Sequence, residues 1–515
     1  MRILVTLLAL AVLGVGAWQL LPSQDDKNKT IKVGTTDEIT SLDPAGAYDA
    51  GSWALFNNVF QTLMTFRPGA TAPVPDAAKS CGFAHGDLKT YRCVLRDDIT
   101  FPSGRRMTAA DVKYSFDRMK KIKSSVGPVS LFTTLSTVSA DDDSTVTFHL
   151  SSADAIFPLK ISTGAGSIVD RDKYPAGRLR TGDAVDGTGP YTLTSYAKGD
   201  KAVLAPYGKY KGYDSGAAPR PVELHYFADS QKLDSAWQAR QVDIATRTLT
   251  PGVLSRLNPS DPQLRVSETT SAQARNLYLN TRPGAPLHDP RVRRALAWLV
   301  DRDALAAKVY QGTVDPLYSL IPAGITGHTT SFFDAYPAQN VDKARQLLTE
   351  AGVSLPVRFT LGYGRGRGAS AEESAELKRQ LEAGGLFKVD VKAYEWTAFQ
   401  KLWASGKMDA WGVSWLADYP DPDTFGAQLV GTGSTMNTGY SSKAVDTLIR
   451  DSQRYADRSR AVRDFGTIQG DVATDVPLIP LWQGKEYVVS TKDVSGGQYL
   501  ADGTGVFRLW SLGWI

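Results

Sequence analysis

Strand-like segments and capped helices alternate from Ile31 to the end of the chain, and this alternation restricts the fold more than any other feature. Ile31-Lys32-Val33-Gly34 opens the first strand. Three helices are clearly punctuated. Thr108-Ala109-Ala110-Asp111 is a capping-box start, followed by Val112, Phe116 and Met119 on one face. Asp289-Pro290 joins a cap to a proline at the first helical position, and Val292, Leu296 and Leu299 form the apolar stripe. Asp342–Ala351 carries Leu347 and Leu348 and stops at Gly352. Such alternation implies α/β organisation. At 515 residues the chain exceeds what one hydrophobic core serves, so several packed units are expected. No repeat of fixed period is present.

Composition narrows the function classes. Hydrophobic residues at 42% and charged residues at 22% fit a soluble globular chain, not a disordered or polytopic one. Lys plus Arg total 58 against 54 for Asp plus Glu, a net charge of +4, too small an excess for a dedicated nucleic-acid binder. The 11 Trp and 21 Tyr supply amphipathic rings of the kind that line ligand pockets, although most must serve core packing.

The run Ile3–Leu21 is apolar apart from Thr6 and Gln19 and follows Arg2, while Asp25 and Asp26 come after it. It is long enough to span a bilayer, and the charge asymmetry leaves the rest of the chain outside the cytoplasm. Residues 1–22 read either as a signal peptide, with small residues at Val15-Gly16-Ala17, or as a retained anchor. Residues 23–29 read as a linker. No Cys precedes Cys81, so there is no N-terminal lipidation site. Cys81 and Cys93 flank a turn at His85-Gly86-Asp87 and lie on segments that read as paired strands. In an exported chain this predicts a disulfide.

Chemistry-bearing motifs are scarce. The histidines His85, His149, His225, His288 and His328 show no ligand spacing, and neither a nucleophile elbow nor a Walker loop occurs. Gly364-Arg365-Gly366-Arg367-Gly368-Ala369 mimics a dinucleotide fingerprint between a strand and a helix. With no second mononucleotide half, it reads as an Arg-bearing strand-to-helix loop. No catalytic residue, metal site or cofactor is expected.

The segment Trp411–Asp423 is the most informative. Trp411, Val413 and Trp415 alternate on one face of a strand. Pro420 and Pro422 end that strand, so Asp418 sits at its carboxyl end beside aromatic rings. Ligands of open α/β sheets bind there, and a carboxylate among rings suits a cationic ligand group. Turn capping by Asp418, Asp421 and Asp423 is the bland alternative. An EF-hand fits poorly, because the prolines intrude and the glycine is missing.

Taken in order, several segments resemble the family 5 extracellular solute-binding proteins of ABC importers, whose best-known members bind dipeptides and oligopeptides. They are Ser41-Leu42-Asp43-Pro44, Leu95–Phe101 with Gly104 and Thr108–Ser115, Gly187–Tyr191, Leu277–Asn280, Asp289–Leu296 with Val300-Asp301-Arg302, Asp418–Pro422 and Val476–Leu481. The resemblance implies a bilobed periplasmic-binding-protein-like fold of type II with an additional inserted domain. Lobe I would comprise 30–66, 186–279 and 487–515, domain II 67–185, and lobe III 280–486. Two crossing segments near Leu279–Pro283 and Pro480–Lys485 would form the hinge.

The family pattern assigns the acid for a peptide α-ammonium to Asp418, with Trp415, Ala417 and Tyr419 beside it. It gives a polar contact to Asn437 and a hinge-side aromatic to Tyr278. Tyr48 lies where lobe I nears the ligand, and Trp396 is a pocket-wall candidate from composition alone. The expected protein is a non-enzymatic monomer that captures a peptide and passes it to a membrane permease with its ATPase subunits. It would be membrane-associated through its N-terminal segment or secreted, and would bind no nucleic acid. A non-peptide solute (sugar, opine or metal chelate), a sensory receptor and an extracytoplasmic hydrolase are the rival readings.

Overall fold

The computed structural model describes residues 29–217 and 219–515. The apolar run Ile3–Leu21 lies outside the described residues, and among those described no helix is long and apolar enough to cross a membrane.

Two long antiparallel strands organise the molecule: Leu264–Leu279 with 16 residues and Leu478–Thr491 with 14. At roughly 3.3 Å per residue the first is about 50 Å long, enough to run through two lobes. They form the middle of an 11-stranded sheet. On one flank lies the parallel trio Ile244–Thr246, Ile31–Thr35 and Val222–Tyr226, extended by the hairpin Lys201–Pro206 and Tyr191–Ala197. On the other flank Ala410–Leu416 and Phe387–Tyr394 both run parallel to Val357–Gly364. Each flank is therefore an α/β unit, and the long strands are shared.

The long pair breaks register between Thr270 and Gln273, opposite Lys485 and Gly484. A Cβ at Gly484 would lie 2.5 Å from Gln273 Oε1 and 3.2 Å from the Trp482 ring, so a side chain there would make the Gln273 amide move. The break lies earlier in the strand than the boundary expected at Leu279, which pairs with Ala410 inside the second flank.

A separate four-stranded antiparallel sheet holds Ala78–Phe83, Thr90–Leu95, Thr145–Leu150 and Leu135–Ala140 in that order. Helix Ala109–Ile122 covers it, starting with the capping box of Thr108 and Asp111. Phe116 packs edge-on against both Phe132 and Phe148 beneath that helix. Cys81 and Cys93 are directly opposed on neighbouring strands and joined by a disulfide. The other two punctuated helices occur as Pro290–Ala297, capped by Asp289, and Val341–Ala351, ended by Gly352 at φ 67°.

Three of the segments that carry the resemblance hold parts of the molecule together. Asp43 takes both Nη groups of Arg118, at 2.7 and 2.8 Å, binding the first parallel unit to the covering helix. Arg293 donates to the carbonyls of Asp475 and Val476, and Arg302 to those of Leu317 and Pro480.

Candidate functional site

The carboxyl ends of the parallel strands in both flanks converge on a cavity of about 280 Å³. Its walls come from both lobes and from the crossing strands, as the switch-point rule for α/β sheets requires.

Asp418 follows strand Ala410–Leu416 and is only 9% exposed. Its Oδ2 accepts from Tyr48 Oη at 2.6 Å and Thr424 Oγ1 at 3.1 Å. Its Oδ1 has no hydrogen-bond partner among the described residues. Tyr48 stacks on Trp53 with centroids 5.1 Å apart and meets Trp415 edge-on at 5.5 Å. Trp415 Nε1 donates to Thr424 Oγ1 at 3.2 Å, which fixes both neighbours of the carboxylate. Burial pushes the pKa of Asp418 up to about 7, against the opposing pull of the Tyr48 and Thr424 hydroxyls. Among the described residues it has no salt-bridge partner.

Two other acids of the cavity, Asp37 and Glu486, have a guanidinium beside them, and the third, Asp49, is buried with both oxygens taken by Thr40 Oγ1, Ser52 N and Ser52 Oγ. Asp37 sits just past strand Ile31–Thr35 and bonds Arg247 and Arg367, each at 2.9 Å. Burial works to raise its pKa, but the two guanidinium groups prevail and hold it below the ordinary carboxylate value. Arg247 also lies 3.5 Å from Glu486 on the long strand. Arg367 covers the Trp396 ring at 4.0 Å. Its loop presses on the opposite lobe: the Gly366 carbonyl accepts from Ser230 N at 2.9 Å, and Gly368 N donates to Ser230 Oγ at 2.8 Å. Gly366 has φ 76°, and a Cβ there would lie 2.6 Å from the Ala228 carbonyl, so the close approach requires glycine. With Tyr48–Asp418, these contacts bridge the two lobes.

Five of the expected residues are brought together: Tyr48, Trp396, Trp415, Ala417 and Asp418 all line the cavity. Three are not among its lining residues. Tyr278 is fully buried within one lobe, where it stacks on Trp411 at 5.9 Å and accepts from Asn276. Tyr419 is fully buried and donates to Asp423 at 2.9 Å. Asn437, at φ 47°, has its amide turned to the Ala404 carbonyl and its side-chain oxygen taken by Arg282. Strand and loop periodicity place these three near the site but leave open which way each points.

Asp37, Arg247 and Arg367 were not singled out as site residues. All three stand just past the carboxyl ends of parallel strands, so the strand-end rule that selected Asp418 also reaches them. Arg275, three-quarters of the way along the long strand between Ala274 and Asn276, had only its charge as a signal. No group of His, Cys, Asp or Glu able to hold a metal occurs among the described residues.

The family model described as bacterial extracellular solute-binding proteins, family 5 middle, matches residues 72–437. The Di/tripeptide-binding protein 2 of Pseudomonas aeruginosa (strain UCBPP-PA14) is 28% identical over 528 residues, covering 95% of each chain. Among solved structures, DppA from Helicobacter pylori, an ABC transporter-associated periplasmic binding protein in complex with the peptide STSA, superposes with a TM-score of 0.85. It is 22% identical, and the match covers 95% of this chain and 99% of that one. AgaA from A. tumefaciens R10, in complex with agropinic acid, also gives 0.85 at 20% identity, covering 94% of this chain and 97% of that one. At these identities the structural likeness speaks for the bilobed fold.

Proposed function

The chain belongs to the bacterial extracellular solute-binding proteins of family 5, and on that premise we propose that it is the receptor of an ABC importer and encloses short peptides between its lobes. One observation carries the choice of peptide. Asp418 is a buried carboxylate with an unpartnered oxygen and no cation beside it, whereas Asp37 and Glu486 in the same cavity have Arg247. A ligand α-ammonium supplies the missing charge. The di/tripeptide-binding relative supports this reading, and the agropinic acid complex marks its rival, a non-peptide solute.

The mechanism is binding and closure without catalysis. Asp418, Tyr48, Trp415, Ala417 and Trp396 form the ligand surface, with Asp418 taking the amine. The hinge lies at Thr270–Gln273 and Gly484–Lys485, supported by the register break there. Lobe I comprises 30–66, 186–279 and 487–515 apart from the strand beyond that break; domain II is 67–185, and lobe III follows to 486. Closure removes water from the amine and strengthens its pairing with Asp418. The closed monomer delivers its ligand to a membrane permease served by ATPase subunits. Residues 1–22 either tether the receptor to the membrane or are removed on export.

Calorimetric titration with Ala-Ala and Ala-Ala-Ala, followed by mass spectrometry of the peptide, tests this reading. Saturable one-to-one binding with the peptide recovered intact is expected. Absence of binding, or recovery of free alanine, contradicts it.

A further inference from the structure

A further cation lines the cavity besides Arg247 and Arg367. Arg275 lies on the long strand Leu264–Leu279, opposite Ser414 in register, and its side chain is 8% exposed. Its partner Glu373, in helix Ser370–Glu382, is 0% exposed and absent from the cavity wall. Both Glu373 oxygens are engaged. Oε1 accepts from Arg275 Nε at 2.8 Å, and Oε2 accepts from Tyr310 Oη at 2.8 Å and Trp482 Nε1 at 2.6 Å. Tyr310, Trp482 and Arg275 all line the cavity, so one hidden carboxylate fixes three wall residues from three elements.

The guanidinium keeps donors to spare. Nη2 is buried against Glu373 Oε1 at 2.7 Å, and Nη1 makes no protein hydrogen bond among the described residues. Across the strand pair stands Gly412, where a Cβ would lie 3.0 Å from Nη2. Gly412 also lines the cavity.

We propose that Arg275, positioned by Glu373, is a subsite for a carboxylate of the bound solute. The inference rests on the cavity being the ligand site and deepens the peptide reading above. Ser414, the partner of Arg275, lies two residues before the end of strand Ala410–Leu416, and Asp418 two residues beyond that end. Acid and cation therefore line the cavity at separate points, as the two ends of a bound peptide require. The carboxylate has two possible sources in a peptide: its C-terminus or an acidic side chain.

Titrations of the full chain with matched pairs test the subsite: Ala-Ala against its C-terminal amide, Ala-Glu amide against Ala-Gln amide, and succinate against succinamide. The wild type should prefer at least one carboxylate by about ten- to hundredfold, the value of a hydrogen bond to a charged group. The pair that shows the preference identifies the source. In the double variant Arg275→Met/Glu373→Gln, which removes both buried charges together, that preference, read as the ratio of the two partners' affinities within the variant, should fall below about threefold. Glu373→Gln alone keeps Arg275 and an acceptor for Tyr310 or Trp482, and should widen the preference. A preference confined to succinate sinks the peptide reading and leaves the subsite standing. Peptides bound without carboxylate preference, no carboxylate bound at all, a preference that survives the double variant, or a narrowing in Glu373→Gln overturns the subsite.

Discussion

Replacing Asp418 by Asn removes one charge and keeps the shape of the side chain. Both hydroxyl donors, from Tyr48 and Thr424, reach the same oxygen, Oδ2, so an amide oxygen in that position retains them. The amide nitrogen then occupies the place of Oδ1, the atom left for the ligand. In the closed, ligand-free cleft burial raises the carboxyl from 3.8 to about 7, which at about 1.4 kcal/mol per unit makes the ionised form about 4 kcal/mol unfavourable. A ligand ammonium offsets that cost; in the Asn variant there is no charge to offset, and an N–H faces the ammonium. Removing one partner of a desolvated pair costs roughly 3–5 kcal/mol, a loss of about 10²- to 10³-fold or more in affinity. Calorimetry on wild type and Asp418→Asn, each with Ala-Ala and N-acetyl-Ala-Ala, completes a cycle. Acetylation should weaken wild-type binding as much as the mutation does, and the two losses should not add, because each breaks the same pair. The ligand-free variant should melt no lower than wild type at pH 8, since it no longer buries a charge. Acetylation that leaves wild-type affinity within a few-fold, or a variant that binds the free peptide as well as wild type, refutes the reasoning.

Three further outcomes are expected. The raised pKa of Asp418 favours the protonated folded form, so its contribution to ligand-free stability is full below 3.8 and lost as pH rises through about 7. Capture of an ammonium needs the ionised form, so affinity should fall about tenfold per pH unit below that point, and a flat calorimetric profile from pH 5 to 7 contradicts this. Arg367→Ala breaks the cross-lobe bond to Asp37 and should speed ligand release about tenfold in stopped-flow experiments; an unchanged rate denies the latch. Cys81→Ser/Cys93→Ser should cost roughly 3 kcal/mol in denaturant unfolding with peptide affinity preserved at 25 °C, because neither cysteine lines the cavity.

Much of the architecture was legible because its signals are local. The Thr108–Asp111 capping box, the Asp289-Pro290 start and the Gly352 stop each specify a helix end through neighbouring residues. Cys81 and Cys93 belong to a short hairpin, and their pairing is likewise a local matter. The site was legible where one strand end carries its own punctuation, as Pro420 and Pro422 do for Asp418. It was obscure where a side chain must choose between a cavity and a core. Tyr278 and Tyr419 are aromatic and adjacent to the right elements, yet Trp411 and Asp423 hold them inside one lobe. The pairing of Arg275 with Glu373 joins residues 98 positions apart, and no periodicity announces it. Arg367 was visible as part of a glycine-rich loop, but its role depends on Asp37, 330 residues away on the other lobe.

The most direct test of the account is native mass spectrometry of protein exported by its own host and purified without denaturation, with the co-purified solute sequenced after release. The account predicts one short peptide per protein molecule, of mixed composition, every species with a free α-amine. A single non-peptide solute, or peptides whose N-termini are uniformly blocked, contradicts it.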